Sequence, residues 1–114
     1  MKSIRFFSPL ALVIVLALNQ PVASAATAEE GKTAYVKNGC WQCHGFLGQG
    51  GVAGPKLAPD PKPIEFMAVF IRHTKGAMPP YSEKILSNQD LASIHVYLRS
   101  IPKSPDAKSI PLLN

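Results

Sequence analysis

Apolar residues along the chain fall into one unbroken run and three helical stripes, and no alternating apolar and polar stretch is long enough for a sheet. The unbroken run covers residues 10–18, behind the basic Lys2 and Arg5 and ahead of the small residues Ala23, Ser24 and Ala25. That order is the pattern of a secretory leader cleaved after Ala25, and the run is about half the roughly 20 residues that a spanning helix needs. In the first stripe Gly31, Ala34, Tyr35 and Asn38 share a face. Thr27 and Glu30 stand at capping-box spacing, Glu29 and Glu30 suit the positive end of a helix dipole, and Asn38-Gly39 gives a stop, so a helix is predicted over about 28–38. The second stripe, Phe66, Met67, Phe70, Ile71 and Thr74, follows a proline at 63 and precedes Gly76, which predicts a helix over 63–75. The third, Leu91, Ile94, Leu98 and Ile101, has Ser87 as N-cap, Asp90 three residues on, Leu86 and Leu91 placed as a hydrophobic staple, and Pro102 as its end, which predicts a helix over 88–101.

The intervals are as informative. Residues 45–62 carry five Gly and three Pro without apolar periodicity and read as loop. Met78 precedes Pro79, which disfavours helical geometry at the residue before it, so Met78 belongs on an extended loop. Residues 103–114 hold two further prolines and an apolar end, Ile110 to Leu113, open to reading as a frayed tail, a strap on the body or a docking segment. The expected architecture is all-α: a leader at 1–25, one domain at 26–102 and a tail at 103–114.

Length and charge narrow this further. At 114 residues the chain suits one small domain and excludes a multi-domain enzyme. Its 12 Lys+Arg against 7 Asp+Glu give a net charge of +5 without any run of five basic residues, so nucleic acid is not an expected partner. Only 2 cysteines are present, three positions apart, too few for a disulfide framework. A domain this small gains much from a prosthetic group filling its middle.

The two cysteines lie in Cys40-Trp41-Gln42-Cys43-His44, the C-x-x-C-H pattern of c-type haem attachment. Thiols three residues apart on a helical turn can each add to one vinyl group at a haem edge, and the adjacent His44 is then placed as proximal iron ligand. A redox C-x-x-C needs strand-helix-strand context that is missing, and a zinc site needs four ligands at a spacing that His73 and His95 do not provide. A plain disulfide stays open as an alternative. The glycines from 48 to 54 lack the Gly-Lys-Ser/Thr and strand context of a phosphate cradle. Trp41, between the cysteines, is expected near the haem edge and partly exposed.

Over about residues 29–101 the chain resembles class I cytochromes c, the small monohaem electron carriers. The likeness rests on Gly31 and Tyr35, the motif at 40–44, Gly54-Pro55-Lys56-Leu57, Ala77-Met78-Pro79-Pro80-Tyr81, and the segment from Ile94 to Leu98 with Tyr97. The resemblance implies three main helices around one covalently attached haem c. It places Cys40, Cys43, His44, Pro55, Leu57 and Met78 at the cofactor, with His44 and Met78 on the iron. It also implies that the Pro55 carbonyl accepts the free ring N–H of His44, and that Gly31 and Tyr97 mark the crossing of the first and last helices. Met67, inside its helix beside Phe66 and Phe70, reads as core, and His73 and His95 as solvated or satisfied histidines. With both axial positions filled the iron has no open site, and the implied role is that of a periplasmic carrier, not an enzyme. It would pass single electrons from a donor dehydrogenase to an oxidase or reductase, as a monomer or complex subunit with no stable membrane insertion after leader removal. The alternatives are a haem subunit of a periplasmic dehydrogenase complex, and a haem enzyme or gas binder with an open distal site.

Overall fold

The computed structural model of the chain describes residues 24–113, which contain helices and turns and no strand. In chain order these are α1 (Ala28–Lys37), α2 (Trp41–His44), α3 (Ile64–His73) and α4 (Asn88–Ser100), followed by two single 3-10 turns at Ala107–Ser109 and Pro111–Leu113. The all-α class is the one expected. The leader expected at 1–25 lies outside the described residues except for Ser24 and Ala25.

The capping chemistry at α1 is reciprocal. Thr27 Oγ1 accepts the Glu30 N–H at 3.2 Å while Glu30 Oε2 accepts the Thr27 N–H at 3.3 Å, so two otherwise orphaned donors are satisfied. At the other end the Asn38 side-chain amide donates to the Ala34 carbonyl at 2.8 Å, and Gly39 takes φ +73°, which turns the chain toward α2. Ser87 caps α4 by accepting the Asp90 N–H at 3.0 Å, and the staple residues Leu86 and Leu91 are both 1% exposed.

α3 corrects the expectation in two ways. It runs 64–73, not 63–75, because Pro63 serves as N-cap at ψ 144° and Thr74 leaves the helix at ψ 146°. The freed Thr74 hydroxyl donates to the Met78 carbonyl at 2.8 Å, so Thr74 supports the following loop instead of the helix face. Second, the apolar stripe splits. Met67 and Ile71 are buried, whereas Phe66 and Phe70 point outward at 53% and 49% exposure, their rings stacked at 5.7 Å. The helix carries apolar residues around most of its circumference, and periodicity does not say which of two adjacent stripes meets the neighbouring helix.

The core lies where α1 packs along α4, with α3 touching α4 more lightly. Ala34, Tyr35, Leu91, Ile94, Tyr97 and Leu98 form its centre, joined by Leu86, Met67, Ile71 and Ala58. The Tyr35 and Tyr97 rings meet at 5.6 Å and 57°. The crossing depends on Gly31: a methyl there would collide with the Ser93 carbonyl and lie 2.8 Å from Tyr97 Cβ. The segment from 103 on carries more order than its composition indicates. Asp106 Oδ1 accepts the Lys108 N–H at 2.9 Å and starts the first 3-10 turn, while Leu112 stays 95% exposed.

Because backbone, not a flexible side chain, blocks the added methyl, Gly31→Ala is expected to destabilise the protein by about 1–3 kcal/mol in denaturant unfolding. Gly51→Ala, whose methyl would make only an ordinary 3.7 Å contact with the Cys43 carbonyl, is the near-neutral comparison.

Candidate metal centre

The motif of residues 40–44 folds as a single helical turn. Cys40 caps α2 with helical angles of φ −56° and ψ −36°, and the His44 N–H donates to the Cys40 carbonyl at 3.0 Å. Spacing of three on such a turn brings the two side chains to one face. Both thiols are free, with Cys40 half-buried and Cys43 exposed, so they are not joined as a disulfide. Burial pushes the Cys40 thiol up to about 11, the opposite of the lowered value that activates a redox C-x-x-C. Trp41 is half-buried and stacks on Phe46 at 4.5 Å across the end of the turn.

His44 is 8% exposed, and its Nδ1 donates to the Pro55 carbonyl at 2.8 Å. In the neutral ring that tautomer puts the lone pair on the other nitrogen, Nε2. The loop of residues 45–62 brings Pro55 there by folding back on α2. Gly45, Gly48 and Gly50 take φ +77°, +60° and +85°. The Gly50 N–H donates to the His44 carbonyl at 2.8 Å, and the Gly51 N–H to the Gly54 carbonyl at 2.9 Å. Gly54 lies directly against the imidazole, where a Cβ would stand 3.0 Å from both Cε1 and Nδ1. Leu57 is half-buried against the core, its N–H donating to the Gly48 carbonyl at 2.7 Å.

The chain has 3 tyrosines, and each donates its hydroxyl to a backbone carbonyl flanking α2. Tyr81 reaches the Asn38 carbonyl at 3.0 Å, Tyr35 the Gly45 carbonyl at 2.8 Å and Tyr97 the Phe46 carbonyl at 2.8 Å. Burial raises the pKa of all three phenols, which keeps them protonated and able to donate. Tyr35 and Tyr97 enter the sequence reading as packing residues, and their hydroxyls carry no local signal because their partners are main-chain carbonyls 10 and 51 positions away.

Met78 is half-buried on the loop after α3, as expected from Pro79, while Met67 is buried within α3. That loop is tied down beyond the Thr74 bond. The Tyr81 N–H donates to the Ile71 carbonyl at 3.0 Å, and Arg72 donates through Nη1 to the Tyr81 carbonyl at 2.8 Å and through Nη2 to Asn88 Oδ1 at 2.9 Å. Nothing in the pattern of apolar positions marks Arg72 or Thr74 for this work. His73 is exposed, and His95 is half-buried in a cleft of about 450 Å³ with Asp60, Glu65 and Arg99. Among the described residues no three His, Cys, Asp or Glu side chains gather in a way that could hold a metal ion, so the four-ligand zinc set is not assembled there.

Two free thiols on one turn, a buried imidazole with one bare nitrogen, and a backbone cradle at Gly54 too close for a side chain together fit a covalently attached haem. The family model described as cytochrome c oxidase, cbb3-type, subunit III matches residues 26–98. The chain belongs to that family. It is a c-type cytochrome domain, whose cofactor is covalently bound haem c and whose chemistry is electron transfer. No curated protein and no solved structure matches the chain.

In this cytochrome the tyrosine hydroxyls bear on stability. Tyr97→Phe removes the hydroxyl that the Phe46 carbonyl accepts, while after Tyr35→Phe the Gly45 carbonyl keeps the Gly48 N–H, so the costs in denaturant unfolding are expected to be about 1–2 and about 0.5–1 kcal/mol. Since the two rings touch, the double variant is expected to depart from additivity by about 0.5 kcal/mol or more in a double-mutant cycle.

Proposed function

We propose that this cytochrome domain is an exported one-electron carrier whose haem is linked through Cys40 and Cys43 and held on its iron by His44 and Met78. The observation that carries the reading is the His44 ring: buried, oriented through Nδ1 by the Pro55 carbonyl at 2.8 Å, and left with Nε2 as its only donor atom. A hydrogen bond at Nδ1 fixes the tautomer and makes the imidazole a stronger donor to a metal. Met78 supports the second position because it lies on a loop fastened at Thr74 and Tyr81, while Met67 is committed to the core. A haem c with His/Met ligation supplies one-electron redox chemistry at a raised potential and leaves no coordination site for a substrate.

The protein's own contribution is rigidity. Tyr35, Tyr81 and Tyr97 hold the carbonyls on both sides of α2, so the proximal ligand has little freedom to move between oxidation states. Loss of Lys2 and Arg5 with the leader lowers the net charge from +5 to +3, which still favours encounter with an acidic face on a donor dehydrogenase or an acceptor oxidase or reductase through electrostatic steering. Export to the periplasm rests on the leader pattern of residues 1–25, and the family match begins at residue 26, immediately after the proposed cleavage point. Among the described residues no helix is long and apolar enough to cross a membrane.

A second reading makes the chain a cytochrome subunit of a larger complex, in keeping with the oxidase subunit for which its family is described. The outward face of α3 favours it, with Val69 65% exposed beside Phe66 and Phe70. Co-elution of the native, untagged protein with a large partner on size exclusion would select this reading over the free carrier.

Two outcomes test the main proposal. The oxidised protein is expected to show the ferric methionine-to-iron absorption band, and Met78→Ala to abolish it, lower the reduction potential and admit cyanide rapidly at neutral pH; an unchanged band removes Met78 as ligand. Intact mass of the exported protein is expected to correspond to a chain starting at Ala26 and carrying one haem, and a mass that retains the leader contradicts the assigned cleavage.

A further inference from the structure

We infer that Tyr81 is the positioning residue of the Met78 loop, a side chain that fastens the methionine side of the site directly to the start of the haem-attachment turn. The inference rests on the reading of Met78 as an iron ligand. All three polar groups of Tyr81 are engaged, two with α3 and one across to the residue that ends α1. Its N–H donates to the Ile71 carbonyl in α3 at 3.0 Å, and its carbonyl accepts Arg72 Nη1 at 2.8 Å. Its hydroxyl crosses to the Asn38 carbonyl at 3.0 Å, two residues before Cys40.

The first two bonds tie Tyr81 to α3 alone, and Arg72 extends them to the head of α4 through Asn88. Only the hydroxyl reaches the segment that bears the cysteines and His44. That bond places the far end of the Tyr81 ring two residues from Cys40. Its ring therefore stands beside the attachment turn while its backbone ends the loop that begins at Thr74. Besides these bonds the loop has the short-range one from Thr74 and the packing of Met78 on the core, and its Gly76 has open space around it and φ +125°. A loop held at one end by Thr74 and at the other by Tyr81 keeps Met78 facing one place, and freeing the hydroxyl lets the whole segment swing away from α2.

The work divides among the tyrosines accordingly. Tyr35 and Tyr97 hold carbonyls after α2 and belong to α1 and α4, so they secure the proximal side without touching the methionine loop. Losing either hydroxyl weakens the fold; losing that of Tyr81 shifts the balance between bound and released methionine.

Imidazole titration of the ferric holoprotein measures that balance, because added imidazole takes the iron position only when the methionine has left it, so its apparent affinity scales with the released fraction. Tyr81→Phe keeps the ring and removes only the hydroxyl. It is expected to bind imidazole about three- to tenfold more tightly than the parent, the change that one net hydrogen bond commands. Tyr35→Phe and Tyr97→Phe, which act on the proximal side, are expected to lose stability to denaturant with a smaller rise in imidazole affinity than Tyr81→Phe. Arg72→Gln, which frees the Tyr81 carbonyl, is expected to move affinity in the same direction as Tyr81→Phe and serves if that variant fails to mature. Equal imidazole affinity in parent and Tyr81→Phe overturns the inference, as does an equal rise in all three tyrosine variants. A parent protein without the ferric methionine band removes the ligand reading itself, and the inference falls with it.

Discussion

Everything at the centre of this molecule depends on keeping one imidazole buried with one nitrogen bare. An unpaired polar atom away from solvent costs free energy, and among the described residues no buried side-chain nitrogen or oxygen lacks a partner, so Nε2 lies on the part of the ring that stays accessible. Here the Pro55 carbonyl accepts the Nδ1 hydrogen at 2.8 Å, and in the neutral ring that tautomer leaves the Nε2 lone pair for a metal. For that to hold, Pro55 must be carried back over α2. The glycine loop does this: positive φ at Gly45, Gly48 and Gly50 turns the chain, and Gly54 allows main chain to lie against the ring. A proline carbonyl is a suitable acceptor because the ring restricts the residue's own backbone, so the oxygen is held with little entropy left to lose.

The α1–α4 crossing provides the frame from which the site is held. Its tight contact at Gly31 brings Tyr35 and Tyr97 ring to ring in the core, and from there both hydroxyls reach the main chain just beyond His44. Packing and hydrogen bonding are thus coupled in the same two side chains: the rings bury apolar area while the hydroxyls fix a turn that is too short to stand alone. α3 contributes differently. Its inner residues Met67 and Ile71 enter the core, and its C-terminal end, through Arg72 and Thr74, organises the loop bearing Met78.

The outward phenylalanines of α3 separate folding from interaction. Burying Phe66 and Phe70 would have been the simple outcome of their hydrophobicity, yet they stack on each other at the surface beside Val69. A ten-residue helix turns one face toward its neighbouring helix, and its second apolar stripe has no partner among the described protein residues. Such a face is what a subunit would present to a larger assembly, and it gives the complex-subunit reading its physical content.

Local chemistry made much of this legible in the amino-acid order alone. The caps at Thr27 and Ser87, the staple of Leu86 and Leu91, the turn-rich 45–62 segment, the loop position of Met78 and the Cys40-to-His44 turn each involve residues within a few positions of one another, where spacing and stereochemistry decide the geometry. The pairing of His44 with Pro55 was legible only through likeness to a family, since 11 residues of loop separate them. Tertiary structure alone decided which stripe of α3 faces inward, that Thr74 serves the loop, and that the three tyrosine hydroxyls and Arg72 find main-chain carbonyls. The reason is that every backbone carbonyl is chemically alike: a sequence announces the donors it owns, but only the folded chain selects which of many identical acceptors each one meets.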